Sequence, residues 1–272
     1  MVLLIRLLLI VFCMIMGLTK GFCAPDSTKS NEFEIGPDIF FQQYRAVKFD
    51  SKSRAMFEGG FIEDTFRPFN TQSWWINVFH VDVSGNYGNA NYKAEDIKIH
   101  NIDNCRLEPR VWVGKDINLS PNLLLTPYTG FGYRWLFKRL KNQDEGRGNE
   151  QTQYFYLPFG ANLTLYPSEG WRLVFNAEYD LMFWGKETDF TPDASSWKTF
   201  DNTLGRGSGA RGGIKFVKVE NGFNIFIEPY FRYWYIPKSK AVDVLVTGEG
   251  LLTLYVPANR TVETGVRFGV EF

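Results

Sequence analysis

Residues 262–272 alternate with period two. Val262, Thr264, Val266, Phe268, Val270 and Phe272 fall on one face, and Glu263, Gly265, Arg267, Gly269 and Glu271 on the other. Such a stretch is a strand, because a helix would need a repeat of about 3.6 residues. The pattern recurs. In 223–236 an apolar face opposes Asn224, Phe226, Glu228, Tyr230, Arg232 and Trp234. In 171–184 it opposes Arg172, Val174, Asn176, Glu178, Asp180, Met182 and Trp184. In 105–114 it opposes Arg106, Glu108, Arg110, Trp112 and Gly114. A chain built this way must form a sheet with one apolar face, and that face must be covered.

The connectors alternate as well. Ile117–Pro121, Pro167–Gly170 and Glu220–Gly222 are tight and turn-like, whereas 141–151, 187–207 and 238–259 are long and polar. Short and long links on alternate ends describe an antiparallel up-and-down barrel with one plain and one decorated rim. Strands are expected near 32–44, 54–65, 74–88, 105–116, 123–138, 153–166, 171–185, 208–219, 223–236 and 260–272. That is about ten, an even number as single-chain bacterial barrels require, with eight or twelve left open by the region before residue 100.

A soluble barrel buries its apolar face, and a membrane barrel turns it to lipid. Three features favour lipid. The apolar faces run for about nine residues, enough for a tilted strand to cross a bilayer. The opposite faces mix acids, bases and glycines, which suits a narrow lumen of paired charges. Aromatic residues gather near strand ends, with Tyr166, Trp171 and Phe223 at the short-turn rim and Trp135, Phe183, Tyr233 and Tyr235 towards the other. That is the pattern of an interfacial girdle.

Residues 2–18 are apolar apart from Arg6 and are followed by Lys20, Gly21, Cys23 and Ala24. This reads as a secretory signal peptide over 1–23, with the barrel domain over 24–272; a membrane-anchoring helix is the rival reading. Cleavage there leaves 272 − 23 = 249 residues and a charge of 28 − 30 = −2, since Arg6 and Lys20 leave with the signal. Cys105 is then the only cysteine, so no intramolecular disulfide is expected. The balance of 30 acidic and 30 basic residues gives no excess to neutralise phosphates, so no nucleic acid is expected as partner. Two histidines and three cysteines offer no metal framework, and no cofactor is expected.

The stretches TPYTGFGYR (126–134), YLPFGANLTLYP (156–167), WRLVFNAEYDLMFWG (171–185) and EPYFRYWYI (228–236) resemble parts of a group of uncharacterised proteobacterial outer-membrane barrels. Val262–Phe272 resembles the terminal strand of small bacterial outer-membrane β-barrel proteins. The resemblance implies a monomer in the bacterial outer membrane, with the lipid bilayer and lipopolysaccharide around it. It also implies assembly-machinery recognition through Val266, Phe268, Val270 and Phe272. It implies no activity.

His80, Asp82 and Ser84 carry the residue types of a hydrolase triad on one strand face. Same-face neighbours lie about 7 Å apart, however, and a nucleophile needs its base at about 3 Å. The phospholipase pattern of outer-membrane barrels has His and Ser two apart, where here they are four apart. The omptin protease pattern needs an Asp–His pair and a second acidic pair; His80 and Asp82 match the spacing in reverse order, without the second pair. Polar lumen packing is the better reading, and an enzyme is the remote one. Gly207, Gly209 and Gly212 fit G-x-G-x-x-G but precede an alternating strand, not the helix that dinucleotide binding requires. The informative set is the inward charges: Glu108, Arg110, Arg134, Arg172, Glu178, Asp180, Arg211, Lys215, Glu228, Arg232, Glu263, Arg267 and Glu271. Six acids and seven bases can nearly neutralise one another in a dry interior, where an unpaired ion would cost several kcal/mol. Glu228–Arg267 and Arg232–Glu263 are the expected pairs. The set is read as a charge plug in a barrel with a structural or surface-interaction role; the alternative is a narrow porin-like channel. Lys138, Arg139, Lys141, Arg147 and Arg206 are the bases expected near lipopolysaccharide phosphates.

Overall fold

The structure, a computed structural model, describes residues 31–47, 51–68, 75–94, 97–139, 149–168, 170–192, 197–220, 222–246 and 250–272. The expected signal segment 1–23, Lys141 and Arg147 lie outside the described residues. Among the described residues fourteen strands form: β1 Glu32–Ala46, β2 Lys52–Phe66, β3 Val78–Ala94, β4 Ile97–Gly114, β5 Ile117–Ser120, β6 Leu123–Arg139, β7 Asn149–Ser168, β8 Trp171–Pro192, β9 Trp197–Leu204, β10 Ser208–Lys218, β11 Asn224–Ile236, β12 Val242–Val246, β13 Gly250–Leu254 and β14 Asn259–Glu271. Ten of them, β1, β2, β3, β4, β6, β7, β8, β10, β11 and β14, pair antiparallel around a closed ring. Closure comes from β14, which pairs with β11 on one side and with β1 on the other. Reciprocal backbone bonds between Phe33 and Phe272, at 2.9 and 3.2 Å, fasten that seam at the short-turn rim. The ring leaves no free edge within the barrel, as lipid requires of a sheet.

The other four strands are additions. β5 pairs with β6 in the link after β4, where only a turn is expected. β9 extends the sheet along the upper part of β8, inside the expected loop 187–207. β12 and β13 form a separate hairpin inside the expected loop 238–259. β3 and β4 reach 94 and 97, so the sheet continues through a region read as a link.

The outer face is apolar and bare. Phe41, Met56, Phe131, Phe175, Leu181, Ile227 and Phe268 are all exposed there. Soluble monomers do not expose apolar patches of this extent, so a bilayer is the matching surroundings. On β8 a bulge opposite Phe155 and Tyr156 turns Phe183 and Trp184 outward together, at 42% and 40% exposure. The expected inward position of Trp184 is therefore corrected. Beyond it the outside of β8 turns polar, with Lys186 bonded to Asp201 at 2.8 Å, which marks the edge of the lipid band. Tyr166, expected in the girdle, instead lines the lumen mouth.

Candidate functional site: the lumen

Alternation delivers the inward residues. Glu108 on β4, Arg134 on β6, Arg211 on β10 and Glu263 on β14 all point to the axis and are buried. Both expected pairs stand opposite each other in register, Glu228 with Arg267 and Arg232 with Glu263. Their side chains choose differently. Arg232 reaches Glu263 only at 3.7 Å and lies over the Tyr230 ring at 4.3 Å. Arg267 turns away from Glu228 and bonds Glu63, with Asp38 and Asp82 each at 3.8 Å.

The centre of the network is Arg106, whose side chain is wholly buried. It donates to Glu263 at 2.9 Å, to Asp38 at 3.1 Å and to Asn86 Oδ1 at 2.6 Å, and it covers the Phe40 ring at 4.2 Å. Arg134 bonds Glu263 as well and lies 3.8 Å from Glu108. Arg211 donates to Asp180 at 2.7 Å, to the Tyr156 hydroxyl at 2.7 Å and to Glu108. The Tyr156 hydroxyl donates in turn to Glu108 at 2.6 Å. Arg110 bonds Glu178, which also accepts from the Tyr128 hydroxyl at 2.7 Å. Nearer the short-turn rim, Lys215 bonds Glu34 at 2.6 Å, and Arg172 bonds Glu271 and, at 2.7 Å, Glu32. Burial in low dielectric makes each of these contacts strong and each missing partner costly.

All thirteen expected inward charges face the interior. The expected charge set lacked Arg106, Asp38, Glu63 and Glu34, and Asp82, read as polar lumen packing, joins it through Arg110 and Arg267. Arg106 shares the face of Glu108 and Arg110 and was readable from alternation alone. Asp38, Glu34 and Glu63 sit on β1 and β2, whose mixed faces hide the phase. Lys138, expected at the outer rim, points inward to Glu150 at 2.7 Å and the Tyr44 ring, which corrects that assignment. Arg139 and Arg206 are exposed.

Two cavities flank the belt. The one towards the short turns has about 130 Å³ and includes Glu32, Glu34, Glu63, Arg110, Tyr128 and Arg172 in its wall. The one towards the long connectors has about 50 Å³ and includes Gln42, Tyr44, Asn104, Tyr154 and Glu187. Between them, strand by strand, come Asp38 and Phe40 on β1, Arg106 and Glu108 on β4, and Glu263 on β14. Small residues make room for large ones at this level. A Cβ on Gly132 would lie 2.1 Å from the Tyr156 ring, so only glycine lets that ring cross the lumen. Above the belt, Trp234 packs edge-on against Tyr154 and Tyr156, and Leu204, Ile236 and Val256 complete an apolar lid.

His80, Asp82 and Ser84 do not assemble into a triad. The His80 imidazole stacks on Trp112 at 4.3 Å, with its Nδ1 2.9 Å from the Thr65 hydroxyl. Asp82 faces Arg110 at 3.7 Å and Arg267. Gly209 and Gly212 lie in strand β10, with no helix after them.

No family model and no curated protein matches the chain. The outer membrane protease OmpT from Escherichia coli is structurally similar, with a TM-score of 0.58 at 10% identity, covering 90% of this chain and 99% of that one. The fold is that of a bacterial outer-membrane β-barrel. At this identity the likeness carries the architecture and no activity. Lower scores are found for the transport unit of the autotransporter AIDA-I from Escherichia coli, with a TM-score of 0.43, 12% identity and 96% and 97% coverage. The attachment invasion locus protein Ail of Yersinia pestis gives 0.32, 10% identity and 90% and 100% coverage.

Proposed function

We propose that this chain is a sealed, non-enzymatic barrel of the bacterial outer membrane, whose role is structural or surface-interacting. One observation carries this reading: Arg106, Glu108, Arg134, Arg211 and Glu263, with the rings of Phe40, Tyr156 and Trp234, are buried inside the barrel at the level between two cavities. A barrel near eight strands has an interior that side chains just fill, whereas about sixteen strands leave an aqueous pore. Ten strands fall close to the filled limit. The rim with the long connectors then faces the outside and the short turns face the periplasm. Interaction with other molecules falls to β9, the β12–β13 hairpin and the connectors around them. The thirteen inward charges act as the plug, and Val266, Phe268, Val270 and Phe272 act as the assembly signal.

Planar-bilayer recording tests the seal. The wild-type barrel should show no steady conductance in molar KCl, and a variant that removes the belt's bulk, Arg106→Ala with Arg134→Ala, should open steps. Steady single-channel conductance in the wild type would establish the channel reading instead.

A further inference from the structure

On the outside of the barrel, the loop-side ends of five successive strands carry a row of cations in direct register. Arg260 on β14 stands opposite Arg45 on β1, and Arg45 stands opposite Lys52 on β2. Lys52 stands opposite Lys93 on β3, and Lys93 opposite Lys98 on β4. Arg54 lies one same-face step below Lys52. Arg45, Arg54, Lys93, Lys98 and Arg260 are exposed. All six are outward, because their strand neighbours Tyr44, Ala55, Tyr92 and Ile99 take the inward phase. The lipid band ends just below the row, at Phe41 and Met56 on the same faces.

Like charges directly opposite across strands repel, so the fold gains nothing on its own account by setting Arg45 against Arg260 or Lys93 against Lys98. The bulge between Ala90 and Tyr92 strengthens the point. It shifts the β4 partner by one, with Asn101 at φ 60°, and thereby brings Lys98 into phase with Lys93 on the outside. The described outward acids of this sector sit lower: Asp64 lies towards the short-turn end of β2, and Glu58 and Asp103 lie between it and the row. Glu58 stands opposite Tyr87, and Asp103 accepts from the Tyr87 hydroxyl at 2.5 Å.

We propose that this row is a binding site for the phosphate groups of the glycolipid that forms the outer leaflet. Cations just above an apolar band meet the headgroup phosphates at the level of the acyl boundary, and multiple Lys and Arg donors suit a bisphosphorylated headgroup. The inference rests on the long-connector rim facing outwards. It relocates the expected phosphate contacts from 138–147 and 206 to the face of β14, β1, β2, β3 and β4.

The test titrates the full barrel, in a neutral detergent, with bisphosphorylated lipid A, dephosphorylated lipid A and inorganic pyrophosphate, and reads bound stoichiometry by native mass spectrometry. One cation near an anionic lipid surface is worth about fivefold in affinity, so the triple change Arg45→Gln, Lys52→Gln and Lys93→Gln should weaken bisphosphorylated lipid A by about a hundredfold. Arg206→Gln, outside the row, should leave affinity unchanged. Without lipid, the triple variant should keep the wild-type shift between boiled and unboiled gel lanes, because single contacts of cations at a barrel rim contribute about 1 kcal/mol or less each. Arg45→Lys with Arg260→Lys should retain binding. Equal affinity of wild type and triple variant, or of phosphorylated and dephosphorylated lipid, overturns the proposal. Pyrophosphate competing as well as the lipid overturns the lipid as occupant. Bilayer conductance leaves this result untouched, so failure here and failure of the seal are separate outcomes.

Discussion

Arg106→Met is the sharpest probe of the lumen. The change keeps a flexible stem over Phe40 and removes a guanidinium that donates to Glu263 at 2.9 Å, Asp38 at 3.1 Å and Asn86 at 2.6 Å. Neither acid is left bare, since Glu263 keeps Arg134 and Asp38 keeps the Tyr230 hydroxyl at 2.6 Å. Two bonds to carboxylates are lost, each worth about 1.5–3 kcal/mol, together with the two to Asn86 Oδ1. Breaking one side of a buried ion pair costs about 3–5 kcal/mol. The expected loss is about 4 kcal/mol, nearly a thousandfold in the unfolding constant at about 1.4 kcal/mol per decade. Glu263→Gln should cost a similar amount, because it strands Arg106, Arg134 and Arg232 around a neutral amide. The double variant removes one charge of each sign, so its cost should fall short of the sum by about 2 kcal/mol, a coupling typical of contacting residues. Urea unfolding in lipid vesicles, followed by tryptophan fluorescence and by the gel shift of folded barrel, measures all three. A loss below about 1 kcal/mol for Arg106→Met, with an additive double variant, would mean that water already serves these groups and that the belt is not a seal.

Arg232→Ala should cost less than Arg106→Met, about 1–2 kcal/mol in the same assay, because its contact with Glu263 is long at 3.7 Å and Glu263 has two other arginines. Gly132→Ala should destabilise by about 1–3 kcal/mol through collision with the Tyr156 ring, and adding Tyr156→Phe should not relieve it, since the ring carbons are struck too. Outside the lipid band, burial and the neighbouring Glu150 carboxylate push the Glu187 carboxyl up to about 8. The folded barrel therefore holds that proton more tightly than the unfolded chain, whose value is near 4.5, and this contribution to stability is lost as pH rises from about 4.5 to 8. Urea midpoints at pH 5 and pH 8 should differ more for wild type than for Glu187→Gln. Phe272→Glu should lower the amount of barrel reaching the membrane while leaving the urea midpoint of purified, refolded protein nearly unchanged, since the side chain is 61% exposed at the rim.

The ten barrel strands were legible because lipid on one side and a crowded lumen on the other force alternation over long runs. That legibility failed where the two faces are alike. On β1, Glu34, Gly36 and Asp38 alternate with Ile35, Pro37 and Ile39, and the phase is real but faint over so short a stretch. Bulges defeat the pattern in another way. Alternation past Phe183 puts Trp184 indoors, and only the extra residue in β8 turns it out. Lys138 failed for a third reason: a lysine near a strand end looks like a rim base unless its partner Glu150, on the next strand, is already placed. The sequence offers Glu228–Arg267 and Arg232–Glu263 as plausible pairs but does not fix the register between their strands; in the structure both stand opposite each other. Which acid a long arginine takes across the lumen depends on the curvature of the whole ring, which no local pattern encodes.

The belt's contacts run from wall to wall. Arg134 on β6 meets Glu263 on β14, and those strands are five steps apart around a ring of ten, as far as the ring permits. Arg211 on β10 meets Glu108 on β4, four steps apart. A closed sheet held only by neighbour-to-neighbour bonds is a hoop and can be squeezed into an ellipse at little cost. Crossed ties turn the hoop into a spoked wheel. In the closed ring these ties hold the diameter from several directions at once, so lateral pressure from the bilayer meets a cross-section with one preferred shape.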